Sequence, residues 1–173
     1  MKLRALVARI RRQFIAGVFL ALASVAPALA APKPGDIAPD FAGRTYEGQS
    51  ISVAAYTGKV VVLSFWASWC GPCRKELPIL ESIQQVAGKE RVPVVAINIE
   101  DRNTFRKIAR KLTSFNLLLA TDTSGHAQRA YGVNGIPHMV IISKSGQIMR
   151  VHQGYAEEAL DDIVKDLNQA VAE

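Results

Sequence analysis

Two hydrophobic periods alternate along most of the chain. Residues 60–66 (VVVLSFW) and 92–99 (VPVVAINI) are unbroken β-branched and aromatic runs, as in strands buried on both faces. Between them Leu77, Leu80, Ile83 and Val86 form a helical stripe over 72–86, interrupted by Pro78, which should bend it. Phe105, Ile108, Ala109 and Leu112 recur at i, i+3, i+4 and i+7 with basic residues between them, so a second amphipathic helix follows. Residues 117–120 then read as a short strand and 124–131 as a short helix. Residues 139–143 and 148–152 flank Lys144-Ser145-Gly146-Gln147, a hairpin with a glycine turn. Leu160, Ile163, Val164, Leu167 and Val171 close the chain as a helix. Its first turns hold Glu157, Glu158, Asp161 and Asp162, where the helix dipole favours acids. Residues 41–53, with Gly43 and Glu47-Gly48 between short apolar runs, suggest an N-terminal β-hairpin. Strands alternating with helices predict an α/β fold with a mostly parallel sheet and helices on both faces, to which the last hairpin adds antiparallel strands.

The first thirty residues follow another pattern. Lys2, Arg4, Arg9, Arg11 and Arg12 precede an uncharged stretch, FIAGVFLALASVA, and Ala28-Leu29-Ala30 follows. A basic region, an apolar region and small residues at a cleavage site, in that order, define a signal peptide over 1–30, with the domain proper over 31–173. The apolar stretch is also about long enough for an uncleaved anchor. Arg11-Arg12 resembles a twin-arginine signal. All three lead out of the cytoplasm, to a periplasmic space or its inner-membrane surface.

This changes the reading of the charge. The 173-residue chain has 21 Lys+Arg against 15 Asp+Glu, a formal +6 that would suggest nucleic acid or membrane. Five of the basic residues and no acid lie in the leader, leaving 16 against 15. The remaining cluster Arg102, Arg106, Lys107, Arg110 and Lys111 reads as a solvated helix face. No nucleic-acid partner is expected, and a membrane only if the leader stays attached. Hydrophobic residues make up 49% of the chain and charged ones 21%, which fits a globular domain able to bury a core without a disulfide lattice.

Both cysteines lie in Trp69-Cys70-Gly71-Pro72-Cys73, directly after the first long strand. At a helix start the two sulfurs can meet across one turn. The first lies among unpaired N–H groups at the positive end of the dipole, so its thiolate is favoured. Cys70 is then the attacking nucleophile and Cys73 the shielded resolving thiol, working through a mixed disulfide. A zinc site would need four ligands, and His126, His138 and His152 are scattered. No metal or cofactor is expected. Trp66 reads as core beneath the loop and Trp69 as the border of a substrate groove.

The segment Phe65-Trp66-Ala67-Ser68-Trp69-Cys70-Gly71-Pro72-Cys73 resembles the active site of the thioredoxin superfamily. Pro39-Asp40-Phe41, Gly58-Lys59-Val60-Val61-Val62 and Cys73-Arg74-Lys75-Glu76-Leu77-Pro78 narrow the resemblance to exported TlpA/ResA-type thiol-disulfide reductases. It implies a thioredoxin fold, a mixed central sheet flanked by helices, with an N-terminal β-hairpin and an inserted αβ unit over 104–120, and a cis-proline at Pro137 facing the disulfide. Ile136 would offer its backbone to a substrate peptide as an added strand. Glu76 matches the family's thiol-tuning acid, whereas Ser64 replaces the buried Asp of thioredoxin, so a base of that kind is not expected. His138 stands where the family usually has Thr, near the sulfurs as a tuning cation or a copper ligand. The implied activity is reduction of substrate disulfides, in apocytochrome c or copper-site cysteines, with a membrane electron donor. The alternatives are a copper chaperone using Cys70, Cys73 and His138, and a thiol peroxidase, whose P-x-x-x-T-x-x-C frame is missing.

Overall fold

The computed structural model describes residues 31–156 and 160–173. The leader and the acids Glu157 and Glu158 lie outside the described residues. Seven strands form one sheet in the order β2-β1-β5-β4-β3-β6-β7. They are β1 (Phe41–Thr45), β2 (Ser50–Ser52), β3 (Val61–Trp66), β4 (Val94–Asn98), β5 (Leu118–Thr121), β6 (His138–Ile142) and β7 (Ile148–Gln153). Among the described residues four α-helices accompany them: α1 (Gly71–Ala87), α2 (Arg102–Ala109), α3 (His126–Ala130) and α4 (Leu160–Ala172). This is the expected thioredoxin-like α/β architecture, with the N-terminal hairpin β1–β2 and the αβ insertion α2–β5.

The sheet is mixed, as the thioredoxin resemblance implies, and less parallel than the alternation of strands and helices alone suggests. Only β3–β4 and β4–β5 pair in parallel; β1–β2, β1–β5, β3–β6 and β6–β7 are antiparallel. For β6 the cause is the length of α3. Five residues rise only about 8 Å, too little to carry the chain back along a strand. Strand β6 therefore starts at the end of the sheet where β5 finishes, with His138 opposite Phe65 near the end of β3.

Alternation along the strands sorts the core into two clusters. Val60, Val62, Trp66, Met139 and Ile141 face one way, packing with Cys70, Cys73, Leu77 and Leu80 of the loop and α1 and with Ile163 and Leu167 of α4. Val61, Leu63, Phe65, Val140 and Ile142 face the other, with Ile51, Ala127 and Tyr131. The hairpin is tied down by the expected Pro39-Asp40-Phe41 segment. Asp40 Oδ1 accepts from Ser52 Oγ at 2.7 Å and from the Ala54 amide at 2.8 Å, and the Tyr131 hydroxyl donates to the Pro39 carbonyl. Gly43 is required here: its φ is +102°, and a Cβ would lie 3.0 Å from the Thr121 carbonyl of the neighbouring strand.

Helix α1 packs Leu77, Leu80 and Ile83 of its expected stripe on the core and departs from it at Val86. Val86 is 90% exposed. Four residues spaced by three turn through about 180° of a helix with 3.6 residues per turn, which puts Val86 opposite Leu77. The buried face is Cys73, Glu76, Leu77, Leu80, Glu81 and Gln84. Pro78 does not end the helix. It lies on the exposed side, where water can satisfy the Arg74 carbonyl that the proline leaves without a donor. The basic residues of α2 are exposed, as expected of a solvated face. Arg106 stacks over the Tyr46 ring at 5.2 Å.

Candidate active site

Strand β3 ends at Trp66, and a tight turn closed by the Cys70 amide donating to the Ala67 carbonyl at 3.1 Å leads into α1. Cys70 is the N-cap of that helix, and its sulfur accepts from the Cys73 amide at 3.2 Å. The helix thus supplies one of its orphan N–H donors to the Cys70 sulfur. Pro72 occupies the first turn, where a missing N–H costs nothing. The two sulfurs are joined as a disulfide. Cys73 is fully buried and Cys70 is 5% exposed, so what access exists is to Cys70. Trp69 stands 69% exposed on one side. On the other, an open cleft is lined by Gly71, Pro72, Arg74, Lys75 and Tyr155.

The Ile136–Pro137 peptide bond is cis. Its neighbourhood meets the cysteines directly: the Ile136 carbonyl oxygen lies 3.9 Å from Cys70 Sγ. A disulfide sulfur has no proton to give, so this is a contact in the oxidised state and a donor–acceptor pair only for the reduced thiol. The Pro137 carbonyl is occupied by the Gly154 amide at 2.8 Å. The structure thus brings Cys70, Cys73, Trp69, Gly71, Pro72, Ile136 and Pro137 together.

Glu76 lies one turn beyond Cys73 on the same buried helix face and is 2% exposed. Its Oε2 accepts from Ser64 Oγ at 2.7 Å. Burial pushes its carboxyl up to about 7, against a smaller lowering by the Ser64 bond. Ser64 itself brings no carboxyl, and Glu76, named from the resemblance as the thiol-tuning acid, is the buried one. The helix supplies it to the same face, and Ser64 is its hydrogen-bond donor.

His138 is placed otherwise than expected. It has the parity of Val140 and Ile142 along β6, so its ring belongs to the sheet face opposite the cysteines. There it meets Phe65 edge-on, with ring centres 5.9 Å apart. Among the described residues no three His, Cys, Asp or Glu side chains gather as a metal-binding group. A copper site of Cys70, Cys73 and His138, and tuning of the thiols by an adjacent His138 cation, both lose their geometry. His138 is instead a buried imidazole whose two nitrogens have no hydrogen-bond partner among the described residues. Burial lowers its pKa below the ordinary 6.5. The unfolded chain then binds more protons than the folded one just below pH 6.5, so this contribution to stability is intact above that pH and lost as pH falls through it. Denaturant titrations of His138→Leu against wild type should show a gap that grows in favour of the variant from pH 7 to pH 5.

Sequence reasoning missed two polar clusters. Glu81 accepts from the Asn116 and Leu117 amides and Asn116 Nδ2, and Gln84 bonds the Asn116 carbonyl and the Val94 amide, holding the insertion to α1. Glu100 binds the loop before Cys70. Apart from the Gln84–Val94 bond, the partners named are over thirty residues apart, beyond any local pattern.

A thioredoxin-type sheet with a cysteine pair at the start of α1 and a cis-proline against its first sulfur defines a thiol-disulfide oxidoreductase. The Redoxin family model matches residues 33–170. The chain is 31% identical over 121 residues to the thiol-disulfide oxidoreductase ResA of Geobacillus thermodenitrificans, covering 69% of each chain. A solved Chlorobium tepidum structure assigned as a thiol:disulfide interchange protein DsbE superposes with a TM-score of 0.73 at 31% identity, over 82% of this chain and 99% of that one. The exposed lipoprotein thioredoxin Etrx1 of Streptococcus pneumoniae gives 0.66 at 31% identity, over 76% and 99%. The chain belongs to the Redoxin family and is a thiol-disulfide oxidoreductase of the ResA/DsbE type.

Proposed function

We propose that the protein is an extracytoplasmic reductase of substrate protein disulfides. The observation that carries the reading is the pairing of a barely accessible Cys70 sulfur, at a helix N-terminus and beside the cis-Pro137 segment, with a wholly buried Cys73. In the reduced protein the Cys70 thiolate attacks a substrate sulfur. A mixed disulfide forms, and the departing substrate thiolate takes a proton. Cys73 then gives up its proton, for which the Glu76 carboxylate on the same helix face is the acceptor, and attacks Cys70 Sγ. The second substrate thiol leaves. Two electrons and two protons have passed to the substrate, and a membrane electron donor resets the Cys70–Cys73 disulfide. The Ile136 backbone positions the substrate chain as an added strand, and exposed Trp69 and the Gly71-Pro72 cleft flank it.

The basic–apolar–small leader of residues 1–30 supports export to the periplasm, as does the likeness to an exposed lipoprotein thioredoxin. The resemblance to ResA-type reductases favours apocytochrome c or copper-site cysteines as substrates. The direction is tested by the reduction potential, measured by equilibration with glutathione or dithiothreitol. The Gly-Pro dipeptide between the cysteines is shared with thioredoxin, a strong reductant at about −270 mV. A value below about −200 mV is expected, and one above about −180 mV overturns the reductase assignment.

A further inference from the structure

The turn that presents Cys70 is held from outside by a carboxylate with no role in the chemistry above. Glu100 follows the end of β4. Its Oε2 accepts from the Ser68 amide at 2.6 Å and its Oε1 from the Ser68 hydroxyl at 2.8 Å. Asn98 Nδ2 donates to the same Oε2 at 2.9 Å, and the Glu100 amide returns a bond to Asn98 Oδ1 at 2.9 Å. Asn98 is fully buried, so the carboxylate is itself held from beneath. One residue earlier, the Ile99 amide donates to the Trp66 carbonyl at 3.0 Å, so both ends of the Trp66–Ser68 bend are fixed to the β4 terminus. No Lys, Arg or His forms an ion pair with Glu100 among the described residues. Its charge is met only by hydrogen-bond donors, two of the three from Ser68. Such charge-assisted bonds are short and directional.

We infer that Glu100 is a positioning residue for thiol-disulfide exchange: it fixes Ser68, and through it the Trp69-Cys70 segment, against the end of β4. The inference rests on the exchange reading of the Cys70–Cys73 pair. Cys70 is two residues from the clamped Ser68, and its sulfur must stay beside both the Cys73 amide and the Ile136 backbone. Sulfur–sulfur displacement needs aligned atoms, and a displacement of about 1 Å can cost up to about 100-fold in rate.

Two variants separate position from charge. In Glu100→Gln the amide oxygen can accept from the Ser68 and Asn98 N–H groups. The amide nitrogen can donate to Ser68 Oγ, whose hydroxyl turns round. Glu100→Ala loses every bond. Both remove the charge, so any electrostatic effect on Cys70 is common to the two. The probe is dithiothreitol-driven reduction of insulin, with kcat/KM expressed per folded molecule from a thermal melt of the same sample. The expected result is a fall of about 10- to 100-fold for Glu100→Ala and a rate within about twofold of wild type for Glu100→Gln. Equal rates for Glu100→Ala and wild type overturn the inference. So does a Glu100→Gln that falls as far as Glu100→Ala, since charge rather than position would then matter. If Glu100→Ala does not fold, Ser68→Ala removes the hydroxyl arm alone; a fall of about threefold is expected, and an unchanged rate overturns the role. Inactive wild-type protein would instead overturn the exchange reading.

Discussion

Cys73→Ser should accumulate covalent adducts with its substrates, whereas Cys70→Ser should form none and lose turnover by at least about a thousandfold. The asymmetry follows from the environments of the two sulfurs. Both belong to one helix turn, yet only Cys70 has surface, and only Cys70 stands at the N-cap where helix donors stabilise a thiolate. Cys73 is enclosed by the apolar cluster of Trp66, Leu77 and Met139. A substrate sulfur can therefore meet Cys70 but not Cys73 without opening the core. Once the mixed disulfide exists, the nearest competing nucleophile is Cys73, one turn away. With serine there, the alkoxide needed for attack is inaccessible near neutral pH and the adduct persists. Expression of both variants in an exporting host, followed by acid trapping and non-reducing electrophoresis, reads the result. Adducts on Cys70→Ser and none on Cys73→Ser would reverse the roles. Mass spectrometry of the trapped species names the substrates and so also tests the cytochrome and copper-site readings.

The parts of this site legible in the sequence were those set by local chemistry. A cysteine pair after a buried strand, with proline in the helix's first turn, specifies its own geometry within a few residues. The cis bond before Pro137 was legible through the resemblance, and the Ile136 carbonyl lies against Cys70. What could not be read depends on which side of an element a residue occupies. His138 immediately follows the cis-proline, so proximity along the chain suggested proximity to the sulfurs; strand parity sends its ring to the other face. The stripe on α1 held for Leu77, Leu80 and Ile83 and failed at Val86 for a related reason: a strict spacing of three drifts around the helix, and the buried face also contains two glutamates and a glutamine that hydrophobic patterning discards. The mixed sheet was legible through the resemblance but not from strand–helix alternation, which does not register the short length of α3, and the Glu100 clamp depends on a pairing 32 residues apart.

The carboxyl of Glu76 should make the oxidised protein lose stability as pH rises, which is the reverse of the usual carboxylate. An exposed or ion-paired acid favours folding once it is ionised. Glu76 is 2% exposed, faces an apolar cluster, and accepts a hydrogen bond from the Ser64 hydroxyl. Its pKa rises from 4.5 to about 7. Between those values the folded state holds a proton that the unfolded chain has released, so the slope of stability against pH is negative. The contribution is complete below about pH 4.5 and is lost as pH rises through 7, amounting to about 3 kcal/mol by pH 8. Glu76→Gln keeps the shape and can still accept from Ser64, but cannot ionise. Denaturant titrations of the oxidised proteins should therefore converge near pH 4.5 and diverge above it, with the variant more stable by up to about 3 kcal/mol at pH 8. Parallel curves would show that the Glu76 carboxylate is already stabilised in the fold. The sign also separates this group from His138, whose contribution disappears in the opposite direction. The same variant carries a cost in chemistry. Without an ionisable group beside Cys73, the resolving step loses its proton acceptor, and kcat should fall by about 10²-fold while stability at alkaline pH improves. A protein made more stable and slower by one isosteric change would show that the burial of Glu76 is maintained for proton transfer rather than for folding.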